Sequence, residues 1–171
     1  MKKQPLISVI VASYNYAKYI KETLDSLIRQ TNKSFEVIVV DDGSKDQSLP
    51  IIEEYANRFK NIKLYTHPGN QNRGLAETVI LGIEKSNGEY IAFCESDDYW
   101  TNNHIEYLQD TIQQNPLANF IVNGIKVINL SNNPEYDSYI EFSSSFLKKH
   151  SGSNIFPYLC LLYTSPSPRD R

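Results

Sequence analysis

The sequence predicts an α/β protein with a mostly parallel sheet and helices on both faces, because short apolar runs alternate with segments of helical periodicity. The runs are rich in Val and Ile and show little polar alternation, which is typical of parallel strands buried on both faces. Three of the four runs end in a polar cluster, and ligands of open α/β sheets bind at the carboxyl ends of their strands. The expected architecture is therefore a three-layer sandwich.

The strands are predicted from these apolar runs and from the turn residues that close them. The first run ends at the polar turn of residues 13–16, the second at residues 41–44, and the fourth follows the stop signal Asn87-Gly88. The predicted strands are residues 6–12, 35–40, 62–65 and 90–94.

Between and after these strands, apolar residues recur at helical spacing. The first helix is expected to end near Gln30, and the fourth follows the last predicted strand. The apolar faces consist of Ile20, Leu24, Leu27 and Ile28; Leu49, Ile52, Ala56 and Phe59; Leu75, Val79, Ile80 and Ile83; and Ile105, Leu108 and Ile112. The alternation of strand and helix indicates crossover connections, as a parallel sheet requires.

Composition narrows the class of protein. The chain has 171 residues, of which 40% are hydrophobic and 22% charged, as expected for one globular domain. The net charge of −3 argues against nucleic acid as a partner. Two cysteines without CxxC spacing suggest neither a disulfide framework nor a zinc site, and no segment reads as a membrane span. We expect a cytoplasmic protein, either free or peripheral at the inner membrane face.

The acidic run Glu95-Ser96-Asp97-Asp98 follows the fourth predicted strand, which we expect to be buried. Carboxylates about 4 Å apart repel by roughly 4 kcal/mol at an effective dielectric constant of about 20, so a bound divalent cation would explain the cluster. Mg²⁺ commonly takes one or two carboxylates and completes its shell with water and phosphate oxygens. The alternative is that Asp97-Asp98 starts a turn or caps the next helix.

Three polar clusters would meet in one cleft if the first and fourth strands are neighbours: residues 13–15, 41–42 and 95–98. The chain lacks both GxGxxG and GxxxxGK[ST], so phosphates would not be held in either of those ways. A cation on Asp97 and Asp98, with Arg73 nearby, would neutralise them instead. That arrangement suits a nucleoside diphosphate whose β-phosphate leaves during the reaction.

Four ordered motifs resemble those of family 2 glycosyltransferases with the GT-A (Rossmann-like) fold. They are SVIVASYN at residues 8–15, VIVVDDGS at 37–44, NRG at 72–74, and GEYI at 88–91 leading to ESDD at 95–98. The resemblance covers roughly residues 5 to 125, the sugar-nucleotide half of such enzymes. Glu95 stands where the family more often has Asp.

The resemblance implies roles for individual residues. Ala12 and Tyr14 would lie along the nucleotide with Tyr14 against the base, Asp41 would accept from the base ring N–H, and Arg73 would lie near base or phosphate. Asp97 would lie near ribose and metal, and Asp98 would ligate Mn²⁺ or Mg²⁺.

The same resemblance implies a reaction and its partners. The implied reaction is inverting transfer from a nucleotide-diphosphate sugar, expected to be a UDP-sugar, to a saccharide or lipid-linked acceptor hydroxyl. Its context would be biosynthesis of a cell-surface polysaccharide or lipopolysaccharide. A non-catalytic nucleotide- and metal-binding fragment is the alternative function.

Each site residue also has a structural interpretation. Tyr14 is alternatively a packed aromatic, Arg73 a solvated loop charge, and one of Asp41 and Asp42 the start of an Asx turn. The three histidines, His67, His104 and His150, lack metal spacing and are interpreted as surface or satisfied core residues, and Cys94 as a small core residue.

No residue is nominated as catalytic base. Residues 1–162 are expected to form an incomplete GT-A domain without its acceptor-binding half. Residues 163–171 differ in composition from the rest of the chain and are interpreted as a non-native tail.

Overall fold

The structure is a computed structural model and describes residues 7–115 and residue 121. Within that part, four strands alternate with four α-helices, as the sequence predicts. The strands are β1 Ile7–Ser13, β2 Phe35–Asp41, β3 Ile62–Thr66 and β4 Tyr90–Phe93. The helices are α1 Ile20–Ile28, α2 Ser48–Arg58, α3 Leu75–Lys85 and α4 His104–Gln114, with a 3₁₀ turn at Pro68–Asn70 before α3. The predicted tail, residues 163–171, lies outside the described residues.

The four strands form one parallel sheet in the order β3-β2-β1-β4. Ile7 of β1 is in register with Phe35 of β2 on one side and with Tyr90 of β4 on the other. The chain therefore moves outward from β1 to β3 and then crosses back to β4, and the strand order reverses between β1 and β4. Right-handed crossovers place α3 on the face opposite α1 and α2 when the direction reverses. The predicted three-layer α/β architecture is confirmed.

The core lies around β1 and β2, which are covered on both faces. Val9, Val11, Val37 and Val39 have no exposed surface. On α1, the predicted apolar face is confirmed, since Ile20, Leu24 and Leu27 are fully buried. Apolar runs without polar alternation thus correspond to central strands, as the sequence indicates.

Two predictions of burial are wrong. The predicted burial of the fourth strand fails because β4 pairs only with β1 in the described sheet, and Phe93 is 51% exposed. On α3, Ile80 and Ile83 are exposed, whereas Thr78 and Gly82 are buried. The reason is close approach: a Cβ on Gly82 would lie 2.7 Å from Ile10 Cγ2, so the helix rests on β1 at its glycine.

At the amino ends of the strands, a buried carboxylate ties β1, β2, β3 and the turn into β4 together. Glu36 accepts from Ser8 Oγ at 2.7 Å, Lys63 Nζ at 2.6 Å and Asn87 N at 2.6 Å. Burial alone would raise the pKa of Glu36, but these donors outweigh it and hold the pKa below its ordinary value. This network fixes where β4 begins, and β4 leads to the acidic run.

Candidate functional site

A cavity of about 240 Å³ lies at the carboxyl ends of β1 and β4. The ends of β1, β2 and β4 and the first turn of α3 all contribute to it. Its lining residues are Ala12, Ser13, Tyr14, Tyr16, Asp42, Leu75, Thr78, Glu95, Ser96 and Asp97. The predicted convergence of the three polar clusters is confirmed, because β1 and β4 are neighbours.

The loop after β1 presents Tyr14, which is 43% exposed, at this cavity. Asn15 has a left-handed backbone with φ 57°, a conformation that Asn tolerates better than most residues. Three successive backbone N–H groups are then bound by side chains that follow β2. Asn15 N donates to Ser44 Oγ at 2.9 Å, Tyr16 N to Ser48 Oγ at 2.8 Å, and Ala17 N to Asp46 Oδ2 at 3.0 Å. The position of Tyr14 therefore depends on the β2–α2 connection.

The two aspartates at the end of β2 have different surroundings. Asp41 is fully buried, and its carboxylate accepts from Ser44 N at 2.9 Å and Ser44 Oγ at 2.5 Å, a local bond that reaches three residues on and not the two of the predicted Asx turn. Asp42 instead lines the cavity, and it accepts from Arg73 N at 2.6 Å and Gly74 N at 2.9 Å. The structure thus places Asp42, and not Asp41, on the cavity wall.

Some of the remaining predicted site residues line the cavity and others do not. Ala12, Tyr14 and Asp97 line the cavity. The side chain of Arg73 is exposed and is not among the lining residues, although its backbone N–H binds Asp42.

The acidic run forms a tight turn, with Asp98 N donating to Glu95 O at 3.1 Å. Glu95 and Asp97 are half-buried on the cavity wall, whereas Asp98 is exposed. Beneath them, burial raises the pKa of the Cys94 thiol, and the charges of the three carboxylates raise it further. Across residues 7–115 and 121, no group of three or more His, Cys, Asp or Glu side chains is arranged to hold a metal ion. Cys94 is buried, as predicted for a core residue.

A polar stripe that begins on α1 and ends at Gln30, two residues after the helix, fixes the loop that carries this run. Thr23, Ser26 and Gln30 are each about 1% exposed and lie three and four residues apart, on the face that also buries Leu27. Thr23 Oγ1 donates to Ser96 O at 3.0 Å, Ser26 Oγ accepts from Trp100 N at 3.1 Å, Gln30 Nε2 donates to Thr101 O at 2.7 Å, and Gln30 Oε1 accepts from Ile105 N at 3.0 Å. Sequence reasoning missed this stripe, although polar residues at helical spacing within an apolar face are its signal.

His67 is also closer to the site than the sequence indicates. It is buried, which agrees with the core and not the surface interpretation of this histidine. Its Nε2 lies 3.1 Å from Thr78 Oγ1 and 3.5 Å from Asp42 Oδ1. Thr78 and Asp42 both line the cavity, so His67 lies directly behind its wall. The sequence could not reveal this contact because the three residues come from different elements.

The fold and the cavity define an α/β protein whose site, lined by both aromatic and acidic residues, lies at the point where the strand order reverses. The sequence model of the family described as "Glycosyl transferase family 2" matches residues 8–162. This chain belongs to that family of glycosyltransferases.

Relatives support the assignment over part of their length. An uncharacterized glycosyltransferase of Haemophilus influenzae is 37% identical over 67% of this chain and 45% of its own. S. aureus TarS 1–349 in complex with UDP matches with a TM-score of 0.60 and 36% identity over 72% of this chain and 38% of its own. The chain thus spans less than half the length of these relatives.

The mannosyltransferase PcManGT from Pyrobaculum calidifontis, in complex with GDP-Man and Mn²⁺, matches with a TM-score of 0.56. It is 21% identical over 81% of this chain and 39% of its own, so the likeness concerns the fold. In the part of the chain that the structure describes, no helix combines the length and apolar character needed to cross a membrane.

Proposed function

We propose that this chain is the nucleotide-sugar-binding part of an inverting, metal-dependent glycosyltransferase that uses a UDP-sugar. The observation that carries the proposal is the meeting of Tyr14, Asp42 and Asp97 around one cavity where the strand order reverses. TarS, at 35–36% identity, has been crystallised with UDP and with UDP-GlcNAc, which supports uridine as the nucleoside.

In this proposal each wall of the cavity contacts a different part of the nucleotide. The half-exposed ring of Tyr14 stacks on the base, a contact generally worth about 1–3 kcal/mol. Asp42 takes the role expected for Asp41 and accepts from the base ring N–H, since Ser44 already occupies the Asp41 carboxylate. The small side chain of Ala12 leaves room for the nucleotide, and Arg73, exposed at the loop, approaches the phosphates.

The carboxylates of the acidic run fit a hard divalent cation such as Mg²⁺ or Mn²⁺, which prefers oxygen ligands. Asp97 and Asp98 would hold it, with Glu95 beside them on the cavity wall. Two carboxylates leave the other coordination positions of such a cation to water and diphosphate oxygens, as is common for Mg²⁺. When bound, the cation would supply charge stabilisation to the departing diphosphate. Burial is the main cause of the raised pKa of Cys94, and the negative charge of the three carboxylates, which such a cation would neutralise, raises it further.

We propose a saccharide or lipid-linked acceptor and a cytoplasmic location, with association at the inner membrane face as the other possibility. The biological context proposed is synthesis of a cell-surface polysaccharide or lipopolysaccharide. The proposal assigns no catalytic base.

A second candidate is a fragment that binds nucleotide and metal without transferring sugar. It is favoured by one observation: the chain spans 38% of TarS 1–349 and 45% of the H. influenzae relative. Incubation with UDP-sugar and a candidate acceptor separates the two, because only the enzyme forms a glycosylated product.

Thermal unfolding with and without UDP, in the presence and absence of Mn²⁺ or Mg²⁺, tests the shared part of both candidates. UDP at a hundredfold excess over its dissociation constant should add about 2.7 kcal/mol of stability. We expect a metal-dependent rise that Asp98→Ala removes and that Asp110→Ala, an equally exposed aspartate on α4, retains. Cooperative unfolding without any shift would refute the nucleotide site.

A further inference from the structure

A buried histidine connects two walls of the cavity without lining it. His67 follows β3 and is 5% exposed. Its Nε2 lies 3.1 Å from Thr78 Oγ1, in the first turn of α3, and 3.5 Å from Asp42 Oδ1, just after β2. Because His67 is not among the lining residues, any effect it has on a ligand must act through Thr78 and Asp42.

The neighbours of Nε2 determine where its hydrogen is. Thr78 Oγ1 carries one hydrogen, and it donates this hydrogen to Gly74 O at 2.9 Å. It can therefore only accept from His67. Asp42, when ionised, is also an acceptor only. The Nε2 atom must then carry a hydrogen, which it donates to Thr78 Oγ1 at 3.1 Å, while Asp42 Oδ1 lies on the same side of the ring at the longer distance of 3.5 Å.

This contact completes the surroundings of the Asp42 carboxylate. The two hydrogen-bond donors to this carboxylate, Arg73 N and Gly74 N, belong to one short loop. His67 is the contact that comes from a different element, so it limits rotation of the carboxylate plane in a way the loop alone does not. An ionised carboxylate has about four acceptor positions, which leaves one for a ligand donor.

We propose that His67 is a positioning residue that sets the Asp42 carboxylate for the ring N–H of uracil and thereby favours uridine over cytidine nucleotides. The inference rests on the proposed function. The uracil ring nitrogen N3 carries a hydrogen that a carboxylate can accept, whereas N3 of cytosine is itself an acceptor and repels the carboxylate. A correctly oriented Asp42 thus strengthens the binding of UDP and weakens the binding of CDP.

The test compares UDP and CDP dissociation constants by titration calorimetry on the full chain with Mg²⁺ present. In His67→Asn the amide nitrogen lies where Nδ1 was and cannot reach Thr78 or Asp42, and we expect UDP to bind about tenfold more weakly, with CDP changed much less. In His67→Gln the amide nitrogen lies where Nε2 was, and it should restore most of the ratio. His104→Asn, at a half-buried histidine on α4, is the matched control and should keep the wild-type ratio.

Several results would overturn the inference. Equal loss of UDP and CDP affinity in a folded His67→Asn protein would indicate general damage and not positioning, and unchanged affinities would remove the role altogether. If His67→Asn does not unfold cooperatively, His67→Phe replaces it, because it keeps a ring of similar size and deletes both ring nitrogens; an unchanged ratio there also refutes the proposal. A wild-type chain that binds UDP and CDP equally overturns this inference alone, whereas binding of neither overturns the proposed function as well.

Discussion

Replacement of Gln30 by Leu is expected to weaken the attachment of the acidic loop and of α4 to the rest of the fold. The Gln30 amide is 1% exposed and makes three hydrogen bonds to backbone: Nε2 to Ser26 O at 3.1 Å and to Thr101 O at 2.7 Å, and Oε1 from Ile105 N at 3.0 Å. The last bond caps α4, because Asn103, its N-cap residue, makes no side-chain capping bond.

The expected loss in the free energy of unfolding can be worked out from the groups that lose their hydrogen-bond partners. Loss of a helix cap costs about 1 kcal/mol, and each buried backbone group left unpaired costs about 1–3 kcal/mol. Leu fills a similar volume, so the cavity contribution is small. We therefore expect Gln30→Leu to lower the free energy of unfolding by about 2–4 kcal/mol, the lower value applying if water reaches Thr101.

Urea unfolding followed by circular dichroism measures this change. Gln113→Leu is the matched control, since it makes the same substitution at an exposed position of α4 and should stay within about 0.5 kcal/mol of wild type. If Gln30→Leu were no less stable than Gln113→Leu, the three hydrogen bonds would contribute nothing, and the idea that α1 holds the acidic loop would fail.

Two further predictions concern the framework of the site. The pKa of Glu36 is lower in the folded protein, so the ionised side chain stabilises the fold above pH 4.5, its ordinary pKa, and this stability is lost as the pH falls through the folded-state pKa. Glu36→Gln should therefore be less stable than wild type at pH 7 and lose less stability in acid, as measured by urea unfolding across a series of pH values. An acid profile identical to that of wild type would contradict this. Gly43→Ala should be destabilising, because φ is +77° and the new Cβ would lie 2.8 Å from backbone atoms of Asn70 and Asn72. Its control is Gly74→Ala, where φ is +85° and ψ 164°, a backbone conformation adopted almost only by glycine, but the space is open, so thermal unfolding should show only the backbone cost of about 1–3 kcal/mol. A loss at Gly43 no larger than that at Gly74 would show that the close approach at Gly43 is unimportant.

The parts of the fold that were predicted correctly depend on local pattern. Buried parallel strands must be apolar on both faces, so β1 and β2 are visible as runs of Val and Ile, and the face of α1 is visible in its spacing. Burial on α3 could not be predicted, since Gly82 brings that helix against Ile10, a residue more than seventy positions away in the chain. The exposure of Phe93 likewise depends on the place of β4 in the sheet order.

By itself the sequence determined the fold class, the family resemblance and the set of polar clusters at strand ends, because these are encoded in neighbouring residues. Only the tertiary structure decided that β1 and β4 are adjacent and that Asp42, and not Asp41, reaches the cavity. Successive residues of an extended chain point in opposite directions, so which of the two aspartates at the end of β2 reaches the cavity depends on how that end is turned by its neighbours. The contact of His67 with Asp42 and Thr78 was decided in the same way, because it depends on the packing of three segments that are separate in the chain.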